Sequence, residues 1–124
     1  MKRLIKRIRN ITFAVSNLKE TTAFYENIIG LKKTAEWSNY VTFDAGGFEL
    51  AFEPGGKRGQ KIGHREGMPD VFMEVDDVDE AYRKLKERGV KFVTEPKDQY
   101  WGGRTAVFLD PDEYTFILVH LKKQ

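Results

Sequence analysis

Val15-Ser16-Asn17-Leu18-Lys19-Glu20 and Val75-Asp76-Asp77-Val78-Asp79-Glu80 carry one pattern sixty residues apart: a strand end, a helix-capping residue, an apolar residue, and a glutamate three places after the cap. Asn17 and Asp77 can each accept a bond from an unpaired N–H of a first helical turn. Glu20 and Glu80 stand where a carboxylate completes a capping box. Two helices therefore start here. Phe24 with Ile28, Tyr25 with Ile29, and Ala81 with Leu85 beside Tyr82 follow helical spacing, so each helix has one apolar stripe. Gly30 and Gly89 then end them with a residue that tolerates a left-handed C′ conformation.

Working outward, short β-prone runs follow each helix, near 32–37, 40–44 and 47–53 in the first half and near 91–95, 104–109 and 114–121 in the second. Another run precedes each helix, near 11–15 and 70–75. Each half thus reads β-α-β-β-β. The predicted class is α+β, a single domain over 10–121 made of two βαβββ repeats (about 10–53 and 70–121) whose curved mixed sheets form a trough with the helices outside. Residues 54–69 read as a linker by their glycine and charge content, and residues 1–9 as a basic arm.

Composition limits what this domain does. With 124 residues the chain fits one domain, and 40% apolar with 32% charged residues suits neither disorder nor a membrane-embedded protein. No apolar run is long enough to span a bilayer, and no signal-peptide core follows the basic start; a cytoplasmic protein without a membrane partner is expected. Cysteine is absent, which removes disulfides, thiolate metal sites and a cysteine nucleophile. The formal charge of +2 does not favour nucleic acid, although Lys2, Arg3, Lys6, Arg7 and Arg9 cluster locally. A solvated arm is the plain expectation for that cluster.

Strand side chains alternate, so Ile11, Phe13 and Val15 share the face expected to meet the helix, while Asn10, Thr12 and Ala14 take the other. In the second half Val71, Met73 and Val75 take the helix side, leaving Asp70, Phe72 and Glu74 opposite. Phe48, Leu50 and Phe52 are matched to Phe116, Leu118 and His120, which pairs Glu49 with Ile117 on the outward face. The concave wall should collect Asn10, Thr12, Glu49, Ala51, Asp70, Phe72, Glu74, Ile117 and Val119. An apolar wall with a few convergent polar groups is the usual form of a small-molecule site. Trp37, Tyr40, Tyr100 and Trp101 flank the strands and are candidates for an aromatic wall, or for core or interface filling. Arg104 is a candidate for a ligand carboxylate, or for neutralising Glu49 or Asp70. His64 in the linker and His120 on the helix side read as structural or surface residues. Around Thr12 and Thr42 no base and orienting acid stand out, so triad hydrolysis is discounted.

The combination Val15-Ser-Asn-Leu, Ala23-Phe-Tyr25, Gly30-Leu31, Phe72-Met-Glu-Val-Asp-Asp77-Val, Asp110-Pro-Asp112 and Phe116-Ile-Leu118 resembles the vicinal oxygen chelate superfamily, which includes glyoxalase I, bleomycin-resistance proteins, extradiol dioxygenases and fosfomycin-resistance enzymes. The resemblance runs from about Asn10 to Leu121. It implies a homodimer and, in enzymatic members, a divalent metal held from the first and last strands of each unit. Carried over residue by residue, those ligand positions fall on Asn10, Glu49, Asp70 and Ile117. Isoleucine has no lone pair to give, which leaves Asn10, Glu49 and Asp70 as an oxygen-only set suited to Mg²⁺, Mn²⁺ or Ca²⁺ rather than histidine-held zinc or nickel. The resemblance also puts glycine where Glu113 stands, so a strained or altered turn is expected there.

Three functions compete. The first is a metal-free protein that binds or sequesters a small molecule with Thr12, Trp37, Phe72, Trp101, Arg104 and Ile117 as contacts. The second is a glyoxalase-like lyase or isomerase, or a dioxygenase-type metalloenzyme, in which Glu49 or Asp70 acts as a base next to a carbonyl. The third is a non-catalytic scaffold or regulatory module whose basic start contacts an acidic partner or nucleic acid. The lost ligand positions favour the first.

Overall fold

The computed structural model describes residues 2–58 and 69–122; His64 and most of the linker expected over 54–69 lie outside the described residues. The chain divides into two compact units, Met1–Lys57 and Arg58–Gln124.

The first unit runs β1 (Asn10–Val15), α1 (Leu18–Ala23) continued by a π-helical turn (Phe24–Ile29), β2 (Lys33–Trp37), β3 (Tyr40–Asp44) and β4 (Glu49–Pro54). The second runs β5 (Phe72–Glu74), α2 (Val78–Glu87), β6 (Lys91–Asp98), β7 (Gly103–Leu109) and β8 (Thr115–Leu121). Each builds a four-stranded sheet of one plan, β1-β4-β3-β2 and β5-β8-β7-β6, with the first and last strands parallel and the others antiparallel. This is the expected α+β duplication.

The caps explain where the helices begin. Asn17 Oδ1 accepts from the Glu20 N–H and Asp77 Oδ1 from the Glu80 N–H, both at 3.0 Å. Gly30 and Gly89 take φ of 88° and 91°, the left-handed conformation that lets the chain leave the helix at once. The first helix differs from a plain α-helix in its second half: the N–H groups of both Gly30 and Leu31 return to the Tyr25 carbonyl, which widens the last turn.

Each unit has its own aromatic core between helix and sheet. Tyr25 from the widened turn stacks on Phe52 at 4.5 Å between ring centroids, Phe43 meets Phe52 edge-on at 6.0 Å, and Phe13 also stacks on Phe52 at 5.8 Å. In the second unit Tyr82 of α2 meets Phe92, which contacts Phe108, which stacks on Phe116 at 5.7 Å. Val15 is fully buried as expected of the helix-side face, but Ile11 near the strand start keeps 37% of its surface exposed.

Three expectations need correction. The strand expected over 70–75 is only Phe72–Glu74, which leaves Asp70 outside it. β6 continues to Asp98 instead of ending near 95, carrying Pro96 in a register shift between Thr94 and Lys97, where a residue without an N–H breaks no regular ladder bond. The third concerns register. Asn10 pairs with Glu49 and Thr12 with Ala51, whereas Phe72 pairs with Ile117. The two helix caps are sixty residues apart, so Phe72 corresponds to Thr12; Ile117 therefore corresponds to Ala51, and Thr115 corresponds to Glu49. The expected match of Glu49 with Ile117 is off by two residues. Alternation has a period of two and is blind to such a slip, because every side chain keeps its face.

Candidate functional site

On the helix-free face of the first sheet, polar side chains of all four strands form hydrogen bonds across it. The Asn10 amide donates to Thr12 Oγ1 at 2.9 Å and to the Tyr40 hydroxyl at 3.4 Å, and Thr12 and Tyr40 share a bond of 3.0 Å. The Asn10 carbonyl oxygen accepts from Arg9 at 3.1 Å. Beside them Thr34 donates to Glu49 Oε2 at 2.5 Å and shares a 2.6 Å bond with Thr42. Trp37 extends this face, its ring 5.9 Å from that of Tyr40 and 57% of its surface exposed. Asn10, Thr12 and Glu49 thus share one face, with Trp37 at its end beside Tyr40.

Thr34 is the member that strand alternation missed. A bulge between Lys33 and Ala35 sets two β2 residues against one on β3 and brings the Thr34 hydroxyl to Thr42. A bulge of this kind has no signature in the sequence Lys33-Thr34-Ala35.

The helix-free face of the second sheet is more apolar. Ile117 and Val119 of β8 lie beside Phe72 and Glu74 of β5 in parallel register, and Phe72 meets the Trp101 ring edge-on at 6.2 Å. Gln99 donates to Thr105 Oγ1 at 3.0 Å on the neighbouring strand. Phe72, Trp101 and Ile117 therefore share this face, and Asp70 lies exposed before its first strand. Tyr100 points into solvent, 99% exposed, and forms no wall.

Arg104 takes other partners than those suggested for it. Its Nε and Nη2 donate to the two carboxylate oxygens of Asp79 at 2.8 and 2.9 Å, and Nη1 donates to Asp98 at 3.1 Å. Arg104 pairs in register with His120, on the side of the sheet that carries Ala106, Phe108 and α2. The two-pronged bond clamps β7 to the first turn of α2. Hydrogen bonding from Arg104, helped by its charge, holds the Asp79 carboxyl below the usual carboxylate range, while Asp79 and Asp98 push the guanidinium up. His120, exposed on the helix side of the sheet, places Nδ1 3.2 Å from the Val75 carbonyl.

The first unit also has a groove of about 330 Å³ on its helix side, lined by Lys19, Glu26, Asn27, Lys33 and Glu36. Lys33 fills part of it, bonded to Glu36 at 2.6 Å and 3.5 Å from Glu26; the bond to Glu36, then the charges of both, raise its pKa against the opposing effect of desolvation.

The residues do not fit the four-position metal set that the resemblance implies. Among the described residues no three His, Cys, Asp or Glu side chains are grouped to hold an ion. In the first unit Asn10 and Glu49 stand side by side, one carboxylate and one amide. In the second, the place matching Glu49 holds Thr115, a single neutral hydroxyl, while Ile117 has no donor atom and pairs in register with Phe72 rather than Asp70.

The sequence profile described as the Glyoxalase/Bleomycin resistance protein/Dioxygenase superfamily matches residues 7–118. The mitochondrial methylmalonyl-CoA epimerase of Bos taurus is 26% identical over 133 residues, covering 94% of this chain and 74% of its own. A member of the same superfamily from Sphaerobacter thermophilus is 31% identical, with TM-score 0.72 over 94% of this chain and 98% of its own. TnmS3, an antibiotic binding protein from Streptomyces sp. CB03234, is 24% identical with TM-score 0.76 over 98% of this chain and all of its own, a likeness of fold.

Proposed function

The chain belongs to the glyoxalase/bleomycin resistance protein/dioxygenase superfamily, and from that membership we propose that it binds a small organic molecule without assembling the superfamily's usual metal set. The observation that carries this reading is the state of the four ligand positions. Asn10 is already bonded to Arg9, Thr12 and Tyr40, and Glu49 to Thr34; Asp70 precedes its strand, and the place matching Glu49 in the second unit holds Thr115, a neutral hydroxyl, with the hydrocarbon Ile117 two residues further on. Such positions are suited to hydrogen bonding and packing rather than to ligation. The fold shared with an antibiotic binding protein is compatible with that role.

The faces suggest the ligand's chemistry. In the first unit, hydroxyl and amide groups of Asn10, Thr12, Thr34 and Tyr40 suit a ligand edge with carbonyl or hydroxyl groups and Trp37 offers a ring to a planar part; in the second unit, Phe72 and Trp101 offer rings of their own. Arg104 is not among the contacts in this reading, because its donors are engaged by Asp79 and Asp98. A homodimer, the usual state in the superfamily, belongs to the same proposal.

A second reading is favoured by the adjacency of Asn10 and Glu49 and by the similarity to an epimerase: an enzyme in which these two oxygen donors and water hold Mg²⁺, Mn²⁺ or Ca²⁺ and a carboxylate acts as base. Elemental analysis of untagged protein, run beside thermal-shift screens of divalent ions and of aromatic, peptide-like and α-keto compounds, separates the two. The proposal expects substoichiometric metal and a rise in midpoint with an organic ligand that is diminished by Thr12→Val or Trp37→Ala. One metal per chain that disappears in Glu49→Ala overturns it in favour of the second.

A further inference from the structure

Residues 2–9 belong to neither helix nor strand, and every one of them is exposed. The segment reads Lys2-Arg3-Leu4-Ile5-Lys6-Arg7-Ile8-Arg9: five cations, three aliphatic side chains and no acid. Leu4, Ile5 and Ile8 keep 82%, 75% and 70% of their surface exposed, the largest such values among aliphatic residues of the chain's described part. Its far end is anchored, with Arg7 Nη1 donating to the Gly47 carbonyl at 3.1 Å and the Glu49 N–H donating to the Arg9 carbonyl at 3.0 Å.

An isolated exposed leucine needs no explanation, but three aliphatic residues within five positions, flanked only by cations, do. At roughly 100° per residue, Leu4, Ile5 and Ile8 fall within an arc of about 100°, and Lys2, Arg3, Lys6, Arg7 and Arg9 occupy the remainder. A helix this short is marginal in water, which agrees with the irregular backbone observed, and an apolar–water boundary would stabilise it.

We propose that residues 2–9 are a peripheral membrane-binding element that lies on anionic lipid surfaces. The three aliphatic side chains enter the acyl boundary while the five cations meet lipid phosphates and carboxylates. Charge complementarity selects this occupant. A second copy of the segment would set five like charges against five. Nucleic acid would use the cations but leave the aliphatic side chains in water, and the segment offers it no aromatic ring to stack on. Lying on a membrane is a different claim from crossing one: no helix among the described residues is long and apolar enough to span a bilayer.

The test uses the full chain with no tag before Met1, sedimented with vesicles of phosphatidylcholine alone or mixed equally with phosphatidylglycerol. Retention is expected on the anionic vesicles only, and is expected to fall with salt. Leu4→Ser, Ile5→Ser and Ile8→Ser combined keep every charge, yet should weaken retention by roughly tenfold or more, since the apolar contribution is removed. Lys2→Gln, Arg3→Gln and Lys6→Gln combined should weaken it similarly. Far-UV circular dichroism of both variants should match the parent, as none of these side chains is buried. Absence of retention on anionic vesicles overturns the proposal, as does retention that the serine variant leaves unchanged. Tighter binding to single-stranded RNA than to vesicles, unaffected by the serine substitutions, assigns the segment to nucleic acid instead.

Discussion

Gly103 determines where Trp101 can stand. A Cβ added at this buried glycine would overlap the six-membered part of the Trp101 indole, so the ring rests on bare backbone and is held facing Phe72. Gly103→Ala must push the ring away. Made in a Trp37→Phe background, so that Trp101 is the only tryptophan, the substitution should shift its fluorescence emission to the red and lower stability by about 1–3 kcal/mol, the usual cost of overpacking. An unchanged emission spectrum would mean that the ring is not held by this contact. Single residues also show what sequence reading reaches. Glu113, in the place of an expected glycine, takes φ of 69° and is the sole non-glycine with positive φ among the described residues, the strained turn expected there. Thr34 was out of reach, because its position depends on a bulge rather than on its own side chain.

At the scale of elements, the bond between Arg104 and Asp79 ties the start of α2 to β7, joining parts of the chain that are 25 residues apart. Both groups reach solvent, so the contribution is modest and falls with salt. Its pH dependence has a definite sign. Asp79 has a folded-state pKa below its unfolded one, so the unfolded chain binds the extra proton, and the stabilisation is present above the unfolded carboxylate pKa of about 4 and lost as pH falls through the lower folded value. Urea-unfolding midpoints measured from pH 6 downward should therefore decline less steeply in Asp79→Asn than in the parent, with the difference confined to the acid range. Identical slopes would show the ion pair to be energetically idle. The caps at Asn17 and Asp77 were legible because side-chain chemistry and spacing announce them. The partner of Arg104 was not, since register across a sheet decides which side a strand residue takes against a distant helix.

For the molecule as a whole, the duplication visible in Val15–Glu20 and Val75–Glu80 was enough to infer two βαβββ units, and both sheets have the strand order that follows. What duplication could not supply was the offset between the last strands, where a slip of two residues preserves the apolar pattern while exchanging Thr115 for Ile117 as the counterpart of Glu49. The site was therefore legible as two faces and their residue types but not as a set of pairs. Charge divides as unevenly as the apolar pattern repeats. Residues 2–8 contain Lys2, Arg3, Lys6 and Arg7 and no acid, so deleting these four cations takes the formal charge from +2 to −2. Net sign thus resides in a segment that contributes no buried side chain to either core. The deletion should reverse ion-exchange behaviour, with the parent retained on a cation exchanger near neutral pH and the shortened chain on an anion exchanger. Its thermal stability should change by about 1 kcal/mol or less, because among the described residues only the Arg7 bond to Gly47 is lost and Arg9 remains to accept from Glu49. A larger loss would show that the segment packs on the folded units, and its aliphatic side chains would then have a structural role.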